Sequence, residues 1–147
     1  METQDKCKLN QAGAFTTREF DTNKDYLDYK SWIEYLRNGS CPTQDQLSTI
    51  GLIIESEGQK ICAGFLYISN SSIAFIEFVV ANPKAHRNKR KEALKKLLTG
   101  LEARAIKLEY NYILIITNNK GFSNTLTKGH SYIAGAKSTE HYKTIWQ

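Results

Sequence analysis

Two stretches of the chain carry apolar side chains at the i, i+3, i+4, i+7 spacing of one helix face, and both predict helices. The first runs from about Thr22, where Thr22 and Asp25 form a capping pattern, to Arg37. The second runs from about Lys89 to Leu108 and carries one continuous apolar stripe. The stripe residues are Tyr29, Trp32, Ile33 and Leu36 in the first helix, and Leu94, Leu97, Leu98, Leu101, Ala105 and Leu108 in the second.

Short apolar runs bounded by turn residues predict strands around these helices. The first run covers residues 14–21. Three more runs, at 49–55, 60–69 and 73–81, are joined by tight turns, so they are expected to form an antiparallel meander. A buried strand at 112–117 follows the second helix, and it should lie parallel to the 73–81 strand through a right-handed crossover.

The remaining segments complete the expected fold. Residues 40–48 predict a polar loop or a short extra helix, and residues 118–128 predict a helix closed by Gly129. Two further strands are predicted at 130–134 and 141–146. The element order predicts an α/β (α+β) fold with a mixed, mostly antiparallel twisted sheet of about six to seven strands and helices on both faces.

The composition of the chain predicts a soluble globular protein. The chain is 41% hydrophobic and 24% charged, which is typical of a soluble globular protein, and 147 residues predict one domain with residues 1–13 as a polar lead-in. No apolar run approaches the roughly 18 residues of a membrane span, and the polar N-terminus lacks a signal-peptide core. Cys7, Cys41 and Cys62 are widely spaced, so neither a disulfide framework nor a zinc site is predicted. A reducing cytoplasm and no metal are therefore expected.

Basic residues are concentrated between residues 84 and 96, which contain seven Lys or Arg and a single acid, Glu92. This stretch carries +6 and the whole chain +5, so the remainder is close to neutral at −1. The stretch opens the second helix, whose first turn presents unpaired backbone N–H groups and the positive end of the helix dipole. A phosphate-binding site is therefore predicted here. The alternative is a solvated, lysine-rich helix face.

The order of elements over residues 14–146 resembles that of the GCN5-related N-acetyltransferase (GNAT) superfamily. The motif V-x-P-x-x-[RQ]-x-x-G-x-[GA] of that family is matched by the run Ala81-Asn-Pro-Lys-Ala-His-Arg-Asn-Lys-Arg-Lys-Glu-Ala-Leu94. His86 then takes the Arg/Gln position, although an alternative register places Arg87 there. Basic residues stand where glycines are usual, at Arg87, Lys89 and Lys91. The pyrophosphate donors of the family are backbone N–H groups, which these bulkier residues retain.

The resemblance implies that acetyl-coenzyme A binds along the 73–81 strand and at the start of the second helix. The pantetheine arm is expected to pair with the strand backbone, and the pyrophosphate to sit on the helix N-terminus. A later family motif is matched by Asn118 and Gly129. The residues that the resemblance assigns to the cofactor are Val79, Val80, Ala81, His86, Arg87, Asn88, Lys89, Arg90, Lys91, Glu92, Asn118 and Ser123.

Glu77 is the candidate general base. It is a carboxylate in an otherwise apolar strand, and desolvation raises the pKa of a carboxylate toward the range that suits a base. The alternatives are an exposed strand position or a structural ion pair. Strict alternation predicts that Glu77 shares one face with Phe75 and Val79, while the other face holds Ile76, Phe78 and Val80.

The acid that protonates the leaving thiolate is a tyrosine in many GNAT proteins. Thr125 occupies that position here, and Ser123, His130 and Tyr132 are nearby substitutes. A threonine hydroxyl is a poor acid, although it can donate a hydrogen bond.

Three functional hypotheses follow. The first is transfer of an acetyl group from acetyl-coenzyme A to a primary amine by direct attack, with a small molecule, a peptide N-terminus or a protein lysine as the acceptor. The second is a catalytically weak or inactive binding module on the same fold. The third is nucleic-acid binding through the basic helix start at residues 84–96, which the lack of interleaved aromatic residues disfavours. The last strand could also pair with a second copy in a homodimer.

Overall fold

The computed structural model describes residues 14–37 and 41–145, which form two compact units divided between Ile115 and Ile116. The elements are β1 (Phe15–Glu19), α1 (Thr22–Arg37), β2 (Gly51–Ser56), β3 (Gln59–Ile68), β4 (Ile73–Ala81), α2 (Arg87–Lys107), β5 (Tyr112–Leu114) and α3 (Lys120–Gly129), with a 3-10 turn at Gln44–Gln46. None of the helices within these residues is long and apolar enough to cross a bilayer.

The first unit is built on one open sheet with the strand order β1-β2-β3-β4-β5. The pairs β1–β2, β2–β3 and β3–β4 are antiparallel, and the pair β4–β5 is parallel. The β2–β3 hairpin turns at Glu57 and Gly58, whose φ values of 53° and 76° match the twist of a tight two-residue hairpin. The predicted meander and the parallel direction of β5 are therefore confirmed. The predictions that this strand is buried and reaches residue 117 were wrong, because β5 ends at Leu114 and Tyr112 is 56% exposed.

The sheet has five strands, so the prediction of six to seven was wrong. Residues 130–145 contain no strand, which removes the one at 130–134 and the described part of the one at 141–146, whose last residue lies outside the described residues. A strand exists only through its ladder partners, and apolar residues such as Ile133 (95% exposed) and Ile145 (81% exposed) find no sheet to join. The single-domain organisation stays a prediction.

The helices α1 and α2 pack on opposite faces of the sheet, and the predicted apolar stripes face it except at Leu36 and Leu108, which are 52% and 45% exposed. On one face, Tyr29, Trp32 and Ile33 of α1 form a cluster with Phe65. On the other face α2 approaches closely, because a Cβ on Gly100 would lie 2.8 Å from Leu52 Cδ1. This close approach explains a glycine that otherwise costs a helix interior about 1 kcal/mol.

The start of α1 differs from the predicted capping pattern. Asp21, not Thr22, caps the helix, since its carboxylate accepts a hydrogen bond from the Asn23 N–H at 2.9 Å. Asp25 lies one residue beyond the usual capping-box position, yet its fully buried carboxylate accepts from the backbone N–H of Asp21 at 2.8 Å. Arg18 and Lys60 also hold this carboxylate through ion pairs. This buried ion cluster joins α1 to β1 and β3.

Candidate functional site

A β-bulge interrupts β4 at Phe78 and Val79. Glu77 pairs with Phe65 and Val80 pairs with Ala63, so two residues of β4 stand opposite one residue of β3. Phe78 has a φ of 55°, a backbone conformation that bulky residues rarely adopt and that costs about 1–3 kcal/mol. The bulge turns the backbone of β4 out of the regular ladder at the point where the sequence places the candidate base.

The bulge also changes which side chains share a face, so the strict alternation predicted for β4 was wrong beyond Glu77. Phe78 and Val80 both pack against the α1 cluster, on the same face as Phe65. Val79 lies on the α2 face instead, since its Cγ2 would be 3.0 Å from a Cβ on Gly64. One inserted residue reverses the order of faces for the rest of the strand.

On the edge of β4 that faces away from β3, the pairing with β5 ends before the bulge. The two strands pair at only three positions, from Ile73 opposite Tyr112 to Phe75 opposite Leu114. Within the described residues, β4 continues from Ile76 to Ala81 without a ladder partner on that side. The open edge includes Val79, Val80 and Ala81, the residues that the family resemblance assigns to the pantetheine arm.

The open edge of β4 leads through a short turn into the N-terminus of α2. Asn82 holds this turn by donating to the Lys60 carbonyl at 2.9 Å and by accepting from the Lys84 N–H at 3.0 Å. His86 is the N-cap of the helix, and its Nδ1 accepts from the Asn88 N–H at 3.2 Å. The helix begins two residues earlier than predicted, so all residues from Arg87 to Glu92 lie in its first two turns.

The basic side chains of residues 84–96 lie in different surroundings. Lys89 forms an ion pair with Glu57 of the β2–β3 turn at 2.8 Å. Lys96 lies over the ring of Phe15, with its Nζ 5.6 Å from the ring centroid. Arg87 is exposed in the first turn of the helix. Arg87 therefore presents its charge at the helix start, whereas Lys96 lies against β1.

Glu77 lies half-buried on the α1 face of β4, directly before the bulge. Its neighbours there are aromatic: Phe65 opposite it on β3, and Tyr67, whose ring meets Phe78 edge-on at 5.9 Å. Burial raises the pKa of Tyr67, its hydrogen bonding near Ser48 lowers it, and the Glu77 carboxylate raises it further. The Tyr67 hydroxyl therefore lies within electrostatic reach of the Glu77 carboxylate.

Tyr67 and Tyr29 both contact Phe78 of the bulge, and the sequence pattern does not distinguish them from core positions. The Tyr67 hydroxyl donates to the Gln46 carbonyl at 2.7 Å, which fixes the 3-10 turn beside Glu77. The Tyr29 hydroxyl donates to the Phe78 carbonyl at 3.0 Å, at the bulge itself. Helical spacing identifies Tyr29 as buried, but only the three-dimensional structure shows what its hydroxyl contacts.

The remaining predicted site residues belong to the second unit. Asn118 is exposed, and Asn119 caps α3 by accepting from the Phe122 N–H at 2.9 Å. The predicted helix start at residue 118 was therefore two residues early. Ser123 is half-buried in the first turns of α3, and its assignment to the cofactor stays a prediction.

The two candidate acids of this unit lie in and just after α3. The Thr125 hydroxyl donates to the Gly121 carbonyl of its own helix at 3.1 Å. Tyr132 is half-buried, and its backbone N–H donates to the Leu126 carbonyl at 3.1 Å. Their roles as acids stay predictions. Among the described residues, no group of three His, Cys, Asp or Glu side chains is arranged to hold a metal ion.

Comparison with known proteins finds similarity in structure but not in sequence. No protein-family model and no curated protein sequence matches the chain. An aminoglycoside acetyltransferase from an uncultured soil metagenomic sample, solved with trehalose, superposes with a TM-score of 0.64 over 90% of this chain and 97% of its own, at 11% identity. This chain has the GNAT fold.

Other structures with the GNAT fold superpose equally well. N-acetylglutamate synthase from Neisseria gonorrhoeae, solved with coenzyme A and N-acetyl-glutamate, matches with a TM-score of 0.63 at 15% identity, over 78% of this chain and 28% of its own. An aminoglycoside N-acetyltransferase in complex with coenzyme A matches with a TM-score of 0.63 at 13% identity, over 90% of this chain and 96% of its own. The GNAT fold is thus retained although the glycines of its best-known motif are replaced.

Proposed function

We propose that the protein is an N-acetyltransferase that moves an acetyl group from acetyl-coenzyme A to a primary amine. The observation that carries this proposal is that three structural features follow one another along the chain. The bulged strand β4 has an open edge beyond Phe75, and that edge leads through one short turn to the basic N-terminus of α2. Structures with the same fold were solved with coenzyme A bound.

In this proposal the open edge of β4 receives the pantetheine arm. The amides of the arm pair with the backbone of Val79, Val80 and Ala81 as an added strand would, which uses main-chain hydrogen bonds that any sequence can offer. The diphosphate then lies at the start of α2, where N–H groups of the first turn and the helix dipole favour negative charge. Arg87 and Lys91 add charge that glycines lack.

The chemistry forms one C–N bond and breaks the C–S bond and two N–H bonds. The amine nitrogen, once deprotonated, attacks the thioester carbonyl carbon. The C–S bond then breaks, coenzyme A leaves as its thiolate, and the new amide nitrogen gives up its second proton to that thiolate or to solvent. Glu77 takes the proton of the acceptor ammonium, directly or through water. A backbone N–H at the bulge, near Val80, stabilises the oxyanion that forms on the carbonyl.

The acceptor is a primary amine that reaches the α1 face of the sheet beside Glu77. Neighbours with this fold are named for aminoglycosides and for N-acetylglutamate, so the fold accommodates acceptors of very different size. Small amines, peptide N-termini and protein lysines should therefore all be tested as acceptors.

The test is release of free thiol from acetyl-coenzyme A with a panel of amines, compared between the wild type and Glu77→Gln. We expect Glu77→Gln to lower kcat by about 10²–10⁴-fold, the usual contribution of a general base, with little change in acetyl-coenzyme A affinity. Glu109→Gln, a matched change at an exposed turn residue after α2, should leave kcat unchanged. Cofactor binding without thiol release for any amine would indicate a binding module instead.

A further inference from the structure

We propose that Tyr29 is a positioning residue for acetyl transfer, because its buried hydroxyl holds the Phe78 carbonyl and thereby sets the direction of the backbone donors in the β4 bulge. The inference rests on the proposed function. Tyr29 does not contact the reacting atoms in this proposal; it acts through the Phe78–Val79 peptide group.

The hydroxyl of Tyr29 is held rigidly. The side chain is completely buried, and edge-on contacts with Phe20 (5.6 Å, 80°) and Phe65 (5.4 Å, 83°) fix the plane of its ring. Phe65 is also the β3 partner of Glu77, so the ring rests on the strand that faces the bulge. The 3.0 Å hydrogen bond to the Phe78 carbonyl is therefore made from a fixed point.

The carbonyl that Tyr29 holds belongs to a strained residue. Phe78 has a φ of 55°, and a phenylalanine leaves this conformation unless its surroundings maintain it. Two contacts do so on the α1 face: the hydrogen bond from Tyr29 and the edge-on contact with the Tyr67 ring. Of the two, only the hydrogen bond acts on the backbone directly.

Fixing the direction of the Phe78 carbonyl also fixes the direction of the Val79 N–H. The Phe78 C=O and the Val79 N–H belong to one planar trans peptide group, in which they point in opposite directions. Because the Phe78 carbonyl points to Tyr29 on α1, the Val79 N–H points away from α1. Tyr29 thus determines where the bulge presents a hydrogen-bond donor for the thioester or the pantetheine arm, although it lies on another element.

Tyr29→Phe tests this, since it removes the hydroxyl and keeps the ring. The matched control is Tyr110→Phe, which removes another tyrosine hydroxyl that donates to a backbone carbonyl, that of Ser69 at 2.6 Å, outside the bulge. We expect Tyr29→Phe to lower kcat by tenfold or more with less than a threefold change in the KM for acetyl-coenzyme A. Tyr110→Phe should change kcat by less than twofold.

Two spectroscopic measurements separate positioning from a loss of stability. In Tyr29→Phe, the thioester carbonyl stretch of bound acetyl-coenzyme A should move to higher frequency, because its hydrogen bond is weakened. The backbone NMR resonances of the Phe78–Val79 peptide group should shift in Tyr29→Phe without ligand, because the Phe78 carbonyl loses its hydrogen bond, and Tyr110→Phe should show neither change. Unchanged kcat, carbonyl stretch and Phe78–Val79 resonances in Tyr29→Phe would overturn the inference. If the wild type fails to bind acetyl-coenzyme A, the proposed function falls, and these resonances still decide whether Tyr29 holds the bulge.

Discussion

Replacing Asp25 with Asn should destabilise the protein more than any other single loss of a charge described here. The Asp25 carboxylate is fully buried and accepts two hydrogen bonds from the Arg18 guanidinium, at 2.7 and 2.8 Å. It also pairs with Lys60 at 3.0 Å and accepts from the Asp21 N–H at 2.8 Å. Asn keeps the shape but removes the charge, so two cations are left beside a neutral group.

Removing one partner of a buried ion pair typically costs about 3–5 kcal/mol. Arg18 is 33% exposed and Lys60 24% exposed, so water compensates part of the loss and we expect about 3 kcal/mol. With an m-value of about 1.5 kcal/mol/M, the urea midpoint at pH 7 falls by about 2 M. Asp28→Asn is the matched control, because Asp28 also pairs with Lys60 at 2.8 Å but is 57% exposed. Its midpoint should fall by less than about 0.5 M.

The pH dependence gives an independent check of the same cluster. Burial would raise the pKa of Asp25, but hydrogen bonds from Arg18, the Asp21 N–H and Lys60 outweigh it and hold the pKa well below its usual value. An unfolded aspartate titrates near pH 3.9, so below this pH the unfolded state binds a proton that the folded state does not. The stabilisation is therefore present above about pH 4 and is lost as the pH falls toward the folded pKa.

The difference in unfolding free energy between the wild type and Asp25→Asn should accordingly shrink by up to about 1.4 kcal/mol per pH unit below pH 4. Urea unfolding at pH 7, 5, 4 and 3 measures it. Equal midpoints for Asp25→Asn and Asp28→Asn at pH 7, or a difference that does not change between pH 5 and pH 3, would refute the reasoning.

Three further predictions concern single contacts. Gly100→Ala places a Cβ 2.8 Å from the Cδ1 of Leu52, which is 4% exposed. The overpacking should outweigh the gain in helix propensity, so urea unfolding should show an unfolding free energy lower by about 1 kcal/mol. Ser56→Ala should raise that free energy by about 1 kcal/mol, because the Ser56 Oγ is buried without a hydrogen-bond partner among the described residues; a clear loss would contradict this. Glu57→Gln should release Lys89 from its ion pair and tighten acetyl-coenzyme A binding about two- to threefold by calorimetry, with unchanged affinity as the contradicting result.

Most of the fold could be predicted from the sequence, because periodicity and turn residues report local structure. The spacing from Tyr29 to Leu36 and the leucine stripe of α2 identify both packing helices, and the Glu57-Gly58 turn identifies a hairpin. The tail could not be predicted in the same way. Its apolar residues satisfy a strand pattern, but whether a strand forms depends on a partner elsewhere in the chain, which local patterns do not contain.

A candidate site could be predicted from the sequence, but its geometry could not. The charge concentration after β4 identifies the start of α2, and Glu77 is conspicuous as a carboxylate among apolar residues. The bulge at Phe78 has no sequence signal, since an aromatic residue is unfavourable at positive φ and nothing marks the inserted position. Everything that depends on the bulge, from the faces of Val79 and Val80 to the hydrogen bond from Tyr29, therefore required the structure.

Calorimetric titration with acetyl-coenzyme A tests the central claim most directly, with 3′-dephospho-coenzyme A and desulfo-coenzyme A as comparison ligands. The account predicts micromolar binding that weakens when the 3′-phosphate is absent and when Arg87 and Lys91 are changed to Ala, because the basic start of α2 replaces the usual glycines. Absence of binding at millimolar acetyl-coenzyme A would contradict the account, and the basic stretch would then require a different polyanion.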